Sequence, residues 1–216
     1  MTPEERDLRE QICDVGRNLW QRQMVAANDG NISARLSTGE ILCTPASVSK
    51  GYLTPEKIAK VAADGEVLEV TAPYRPSTEV RMHLKVYEAD PLVRAVVHAH
   101  PMYGTVFAVK GEALTLKMLP ESVIHMPEIP LAPYATPSTD ALGEVVVPFV
   151  PTHHGCLLEQ HGALTWGADL SDAYLAMERL EYTAKVTYLL RLIDGERELP
   201  EEAVATLVGL RSQYGR

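Results

Sequence analysis

His98 and His100 stand two residues apart at the end of a valine-rich run, Val93-Arg94-Ala95-Val96-Val97-His98-Ala99-His100-Pro101. Such a run reads as a buried strand, and alternate side chains of a strand share a face, so both imidazoles point the same way. Two polar rings side by side in a core are costly unless something binds them, and such a pair is half of a metal site. A catalytic zinc takes three protein ligands and keeps a fourth position open. Candidates for the third ligand are His161, His153 and His154. His161 is favoured because it lies in the apolar segment Cys156-Leu157-Leu158-Glu159-Gln160-His161-Gly162-Ala163-Leu164-Thr165, whereas the other two fall in a polar connection. Three neutral imidazoles suit zinc and also accept manganese, cobalt or iron.

Chemistry needs a proton carrier beside the metal. In Arg75-Pro76-Ser77-Thr78-Glu79-Val80-Arg81-Met82-His83-Leu84-Lys85-Val86-Tyr87, the stripe Val80, Leu84 and Tyr87 predicts a helix capped by Ser77 or Thr78. Free N–H groups and hydroxyls at a helix start suit a phosphate. Glu79 is either the ordinary acid of a first helical turn or a group that ligates the empty metal and swings away to act as a base. Two small-residue loops, Ala27-Asn28-Asp29-Gly30-Asn31-Ile32-Ser33 and Pro45-Ala46-Ser47-Val48-Ser49-Lys50-Gly51, can complete an anion cradle. Metal, carboxylate and cradle together suit enolate chemistry, in which a cation steadies the oxygens of an enediolate while a base moves a proton.

The elements that must hold these groups follow from periodicity. Leu8, Ile12, Val15 and Leu19 predict an amphipathic helix over 3–23, followed by strands over 32–36 and 40–44. Thr54-Pro55-Glu56 begins a short helix with a hydroxyl cap, and Asp64-Gly65 marks a hairpin between 58–61 and 67–70, or else a helix-to-strand turn. A helix over 102–109 follows the histidine strand, and the proline-rich stretch 114–134 reads as short strands and loops. Ser138-Thr139-Asp140 caps a helix over 141–149, and 156–165 reads as one strand entering a glycine at His161. The longest helix begins at Ser171-Asp172 and runs to about 193, and a last one from Pro200 carries Val204, Leu207 and Leu210 to the C-terminal 214–216.

The 216 residues show no linker or composition shift and read as one domain, 1–216. A net charge of −9 argues against nucleic acid or an anionic membrane as partner. Cys13, Cys43 and Cys156 are odd in number and widely spaced, as reduced core residues are, and no signal peptide or membrane span is evident, which places the protein in the cytoplasm.

The ordered set Asp29-Gly30-Asn31-Ile32-Ser33, Thr44-Pro45-Ala46-Ser47, Pro76-Ser77-Thr78-Glu79-Val80-Arg81-Met82-His83, His98-Ala99-His100-Pro101, Ala132-Pro133-Tyr134-Ala135-Thr136 and His161-Gly162 resembles the class II aldolase/adducin family, nearest the L-fuculose 1-phosphate aldolase type. The resemblance implies an α/β (α+β) fold, a three-layer α/β/α sandwich around a mostly antiparallel sheet. It implies a homotetramer with active sites between subunits, and a phosphorylated sugar as substrate. His98, His100 and His161 match zinc ligands, and Glu79 matches the acid that touches the resting metal and moves protons. Asn31, Ser77 and Thr78 match phosphate-site residues, Ala46 and Ser47 the loop facing the same group, and Tyr214 a C-terminal tyrosine that reaches a neighbouring site.

The implied activity is retro-aldol cleavage of a ketose 1-phosphate, fuculose 1-phosphate or a 5-deoxypentulose 1-phosphate, to dihydroxyacetone phosphate and an aldehyde. The alternatives on the same site are pentulose-phosphate 4-epimerase, sugar-acid phosphate decarboxylase and thioribulose-phosphate dehydratase, with a non-catalytic adducin-like scaffold behind them. Two aromatics of the aldolase type are missing: Met118 stands where counting places one, and Pro137 replaces the other. Glu121 is near enough in sequence to act as a substitute acid.

Overall fold

The computed structural model describes residues 1–214, with side chains through Gln213. Eight strands form one mixed sheet in the order β4-β3-β2-β1-β5-β8-β7-β6. These are β1 (Asn31–Arg35), β2 (Ile41–Cys43), β3 (Ala59–Val61), β4 (Val67–Glu69), β5 (Ala95–Ala99), β6 (Leu131–Ala132), β7 (Gly155–Leu158) and β8 (Gly162–Gly167). Every neighbouring pair is antiparallel except β6 and β7, which run parallel. The histidine strand β5 sits between β1 and β8 and is buried along its length, which explains its unbroken apolar sequence.

Helices cover both faces. α1 (Pro3–Gln21), α3 (Met102–Lys110) and α6 (Leu170–Arg191) pack Ile12, Leu19, Phe107, Met177 and Leu180 against Ile32, Val97 and Ala163 on one side. α2 (Val80–Ala89) and α5 (Asp140–Val146) pack Met82, Val86 and Leu142 against Val96, Cys156 and Leu164 on the other. The result is the α/β/α sandwich, with alternate residues of each central strand feeding opposite cores. α4 (Pro120–His125) and α7 (Glu201–Leu210) pack against one another at one end. All three cysteines are free and buried, and no described helix is long and apolar enough to cross a membrane.

α1 starts as its sequence dictates, with Pro3 in the first turn and the Thr2 hydroxyl accepting from the Glu5 N–H at 3.1 Å. Periodicity does not reveal that Arg9 is buried: it donates to Glu5 at 2.7 Å and to the Ile58 carbonyl at 2.6 Å, which pins α1 to the β3 edge.

Five local expectations change. Residues 156–165 form an antiparallel hairpin, β7 and β8, because the polar Glu159-Gln160-His161 interrupts the apolar run and Gln160 adopts a φ of +58°. Within 114–134, Pro120-Glu121 opens α4, a proline and an acid in a first turn, where strands and loops were expected. Neither Ser77 nor Thr78 is the cap of α2: Glu79 is the capping residue, its side chain makes no capping bond, and Ser77 Oγ accepts from the Glu79 N–H at 3.4 Å. Thr54 likewise makes no cap bond, and Pro55–Lys57 is a single 3-10 turn. α6 starts at Leu170, one residue before Ser171-Asp172, with the Asp169 carboxylate accepting from the Asp172 N–H at 2.7 Å. The Asp64-Gly65 turn joins β3 to β4 as a hairpin, and positions 215–216 of the last helix lie outside the described residues.

One ion-pair cluster ties the end of α3 to the end of α6. Glu112 accepts from Arg191 and from Lys110, both at 2.6 Å, and the Arg191 guanidinium holds its carboxyl down at about 2. The usual value for an unfolded glutamate is ~4.3, so the stabilisation is fully present above ~4.3 and is lost as pH falls from there toward about 2. A Glu112→Gln variant is expected to melt a few degrees lower than the parent at pH 7, a loss of about 1 kcal/mol or less. The gap should close as pH is lowered from about 5 toward 3, as circular dichroism melts would show; a gap independent of pH would contradict the assignment.

Candidate active site

Strand alternation and the hairpin bring three imidazoles together. His98 is the fourth residue of β5, His100 lies just beyond its end, and His161 closes the turn between β7 and β8. Among the described residues these three are the one group of His, Cys, Asp or Glu whose ligand atoms all lie within 4.8 Å of one another. The ring centroids of each pair are 4.7–5.0 Å apart. Gly162 makes this approach possible: a Cβ there would stand 2.6 Å from the His100 ring and 2.7 Å from the Ala99 carbonyl. His153 and His154 are elsewhere, in the connection leading to β7, where the His153 carbonyl accepts from the Trp166 indole at 2.8 Å.

The protonation states suit a metal. His98 Nδ1 donates to the Ala163 carbonyl at 2.9 Å, which leaves the lone pair on Nε2. Burial, with two further imidazoles beside it, holds His98 well below the usual histidine range, and burial also lowers His161. His98 Nε2 and His100 Nε2 are 3.2 Å apart, close to the ~3.3 Å separating two nitrogens that each lie about 2.0–2.1 Å from a tetrahedral zinc. The outer nitrogen of His100 faces the Asp29 carboxylate at 3.6 Å, the kind of support metal-bound imidazoles receive. His161 Nδ1 is buried with no hydrogen-bond partner. A converging set of three imidazoles, two of them with partnered outer nitrogens, fits a divalent cation.

Glu79 stands against the same group. Its two oxygens lie 3.6 Å from His98 Nε2 and 3.6 Å from His161 Nε2, and Asn31 Nδ2 donates to it at 2.7 Å. Asn31 sits directly opposite His98 in the β1–β5 ladder, so both side chains leave the sheet on one face. The Asn31 amide nitrogen, expected at the phosphate, is thus committed to Glu79, while Asn31 Oδ1 is buried and unpartnered.

A cavity of about 280 Å³ opens in front of Glu79, His100 and His161, and Asn31, Ala46, Ser47, Ser77 and Thr78 all line it. The backbone N–H of Ala46 is already given to the Arg75 carbonyl, and that of Ser77 to the Thr44 carbonyl, so these loops are braced together. Hydroxyls remain for a ligand: Thr78 pairs with Ser138 at 2.7 Å on the rim. Asp29, Lys50 and Ser138, to which the sequence assigns no individual site role, also line the cavity. Asp29 and Lys50 sat in loops read as amide and hydroxyl surfaces, and Ser138 was read only as a helix cap; it adopts a φ of +65° and its hydroxyl reaches the rim. A wider groove of about 990 Å³ runs along the far side of α2 past Arg81 and Leu84, but it contains none of the histidines.

Glu121 is exposed on α4 and does not line the cavity, and Met118 precedes it, half-buried. Tyr214 ends a 3-10 turn after α7, and its side chain lies outside the described residues. That turn packs near α4, with Arg211 beside His125 and His153, away from Glu79.

Residues 10–188 match the family model described as class II aldolase and adducin N-terminal domain. A 3-oxo-tetronate 4-phosphate decarboxylase of Escherichia coli is 32% identical over 212 residues, covering 96% of this chain and 97% of its own length. An L-fuculose phosphate aldolase of Methanococcus maripaludis is 33% identical over 180 residues, covering 83% and 96%. The YgbL crystal structure from Escherichia coli, given three candidate activities in aldolase, epimerase and decarboxylase, is 31% identical with a TM-score of 0.86, covering 94% of this chain and 99% of that one. The sandwich, the histidine triad beside a carboxylate and the match over most of the chain agree: the chain belongs to the class II aldolase and adducin N-terminal domain family.

Proposed function

We propose that this chain is a metal-dependent carbon–carbon lyase that decarboxylates a 3-oxo sugar-acid phosphate. The observation that carries the reading is Glu79, the one carboxylate that faces the inner nitrogens of the triad, at 3.6 Å from His98 Nε2 and from His161 Nε2; the cavity's other acid, Asp29, faces the outer nitrogen of His100, and no tyrosine lines the cavity among the described residues. Retro-aldol cleavage requires two proton transfers at different atoms, one from the departing hydroxyl and one to the new carbon terminus. Loss of carbon dioxide from a β-keto acid requires only the second. Met118 and Pro137 are therefore compatible with decarboxylation as they stand, and the full-length similarity to proteins named 3-oxo-tetronate 4-phosphate decarboxylase points the same way.

A divalent cation bound by His98, His100 and His161 would supply Lewis-acid stabilisation of negative charge developing on the substrate oxygens. Ser47, Ser77 and Thr78 bind the phosphoryl group at the cavity rim, and Asn31 holds Glu79 in place. The bond between the carboxyl carbon and its neighbour breaks, its electron pair passes into the adjacent carbonyl to form an enediolate, and carbon dioxide leaves. Glu79 then passes one proton, taken up from solvent, to the carbon that lost the carboxylate. For 3-oxo-tetronate 4-phosphate the product is dihydroxyacetone phosphate. The chain acts as one domain, and its homotetramer would place active sites between subunits in the cytoplasm.

The second reading is retro-aldol cleavage of a ketose 1-phosphate, which the aldolase relatives favour and in which Tyr214 of a neighbouring subunit would take the hydroxyl proton. Both reactions release dihydroxyacetone phosphate, so that product does not discriminate between them. Carbon dioxide release from 3-oxo-tetronate 4-phosphate, measured beside aldehyde release from fuculose 1-phosphate, does. The reading expects turnover of the acid at least about 100-fold above that of the ketose, the scale of one missing acid–base group. Faster aldehyde release would overturn it.

A further inference from the structure

Lys50 is among the largest fully buried side chains of the molecule, at 1% exposure. Its Nζ donates to the Asn28 carbonyl at 2.8 Å and the Val48 carbonyl at 2.7 Å, using two of its three N–H donors. These carbonyls belong to different loops, the turn that leads into β1 and the loop that follows β2, and both loops line the active-site cavity. The packing around Lys50 is built for it. α1 crosses the Lys50 turn at Gly16, where a Cβ would stand 2.8 Å from the Lys50 carbonyl.

A buried ammonium is expensive in a core, and two neutral carbonyls recover only part of its lost hydration. Burial lowers its pKa to about 8, and the charges of Asp29 and Glu79 resist that fall. The same two acids are the cavity's lining carboxylates, and among the described residues Lys50 is the only lysine or arginine that lines it. A phosphoryl dianion entering a chain of net charge −9 would otherwise meet two carboxylates and no lysine or arginine among the described lining residues.

We infer that Lys50 is a positioning residue of the anion cavity, whose charge sets the affinity for the substrate's phosphoryl group while its two carbonyl bonds hold the Asn28 and Val48 loops at the correct spacing. The inference rests on reading that cavity as the phosphate site. It assigns Lys50 no proton transfer, so its loss should appear in KM and not in kcat.

Two variants separate charge from bracing. Lys50→Gln keeps a donor for the carbonyls and drops the charge, whereas Lys50→Met drops both. Binding of inorganic phosphate, read from the shift it causes in melting temperature, is compared with metal content and with steady-state kinetics. In either folded variant phosphate affinity should fall at least about tenfold and KM should rise in parallel, with kcat within about threefold and metal content unchanged. Phosphate affinity within twofold of the parent in a folded variant overturns the inference, as does loss of metal together with phosphate, which would mark Lys50 as a general structural residue. If Lys50→Met does not fold, Lys50→Gln carries the test. A parent protein that turns over substrate but ignores phosphate overturns this inference alone; one that binds phosphate through Lys50 but releases no carbon dioxide overturns only the proposed reaction.

Discussion

A Glu79→Gln variant is expected to turn over substrate about 10³-fold more slowly than the parent, within the 10²–10⁴ range of a positioned acid–base group. The substitution preserves volume, and a glutamine oxygen can still accept from Asn31 Nδ2, so the local geometry has no reason to collapse. What disappears is the carboxyl group, the proton carrier whose two oxygens stand 3.6 Å from His98 Nε2 and from His161 Nε2. The imidazoles remain, so metal content should be close to that of the parent, and inorganic phosphate should bind at least as tightly, because one of the cavity's two carboxylate charges is gone. Elemental analysis beside steady-state kinetics checks both halves. Activity within tenfold of the parent would remove Glu79 from the proton path, and loss of metal would show it to be an obligatory ligand.

The second large effect concerns the triad. His161→Ala should weaken metal binding by more than about 100-fold, since loss even of an outer partner of a metal ligand costs 10- to 100-fold. His161 is the informative member because its Nδ1 makes no hydrogen bond, whereas removing His98 would also orphan the Ala163 carbonyl. The metal-free variant should therefore melt within a few degrees of the metal-free parent. The metal-loaded forms should differ, because a ligand present at a hundred times its Kd stabilises by about 2.7 kcal/mol and the variant forfeits that gain. Melting curves with and without chelator make the comparison, and equal metal-dependent shifts in both proteins would exclude His161 as a ligand.

Much of this site was legible because its signals were local. Alternation on a buried strand placed His98 and His100 on one face without any tertiary information. His161 was chosen over His153 and His154 from its apolar setting, and the hairpin that carries it shows why the glycine follows: only a residue without Cβ lets the His100 ring approach. The helix expected from the stripe Val80, Leu84 and Tyr87 is present as α2, but its cap is Glu79, because Ser77 and Thr78 lie in the loop braced to Thr44. α4 escaped notice among four prolines, although Pro120 and Glu121 carry an ordinary helix-start signal.

Lys50 was illegible for a different reason. Its burial depends on α1 crossing it at Gly16, a contact between residues 34 positions apart that no local pattern records. Arg9 escaped in the same way, reading as the polar side of a helix while reaching the carbonyls of Pro55 and Ile58. Charges sequestered by distant elements are what periodicity handles worst, because the pattern takes them for solvent-facing residues.

The pairing of Asn31 with His98 sets a limit on how this sequence can drift. The residue that holds Glu79 and the first metal-facing imidazole are opposite members of one antiparallel rung. Substitutions along β1 alter side chains one at a time, but gaining or losing a single residue within the paired segment, between Asn31 and Ala34, would turn Asn31 over relative to the rest of the strand and send its amide into the opposite core. Homologous chains that keep this chemistry can therefore vary here in residue type far more readily than in strand length, and insertions should collect in the turn before Asn31 or beyond Leu36.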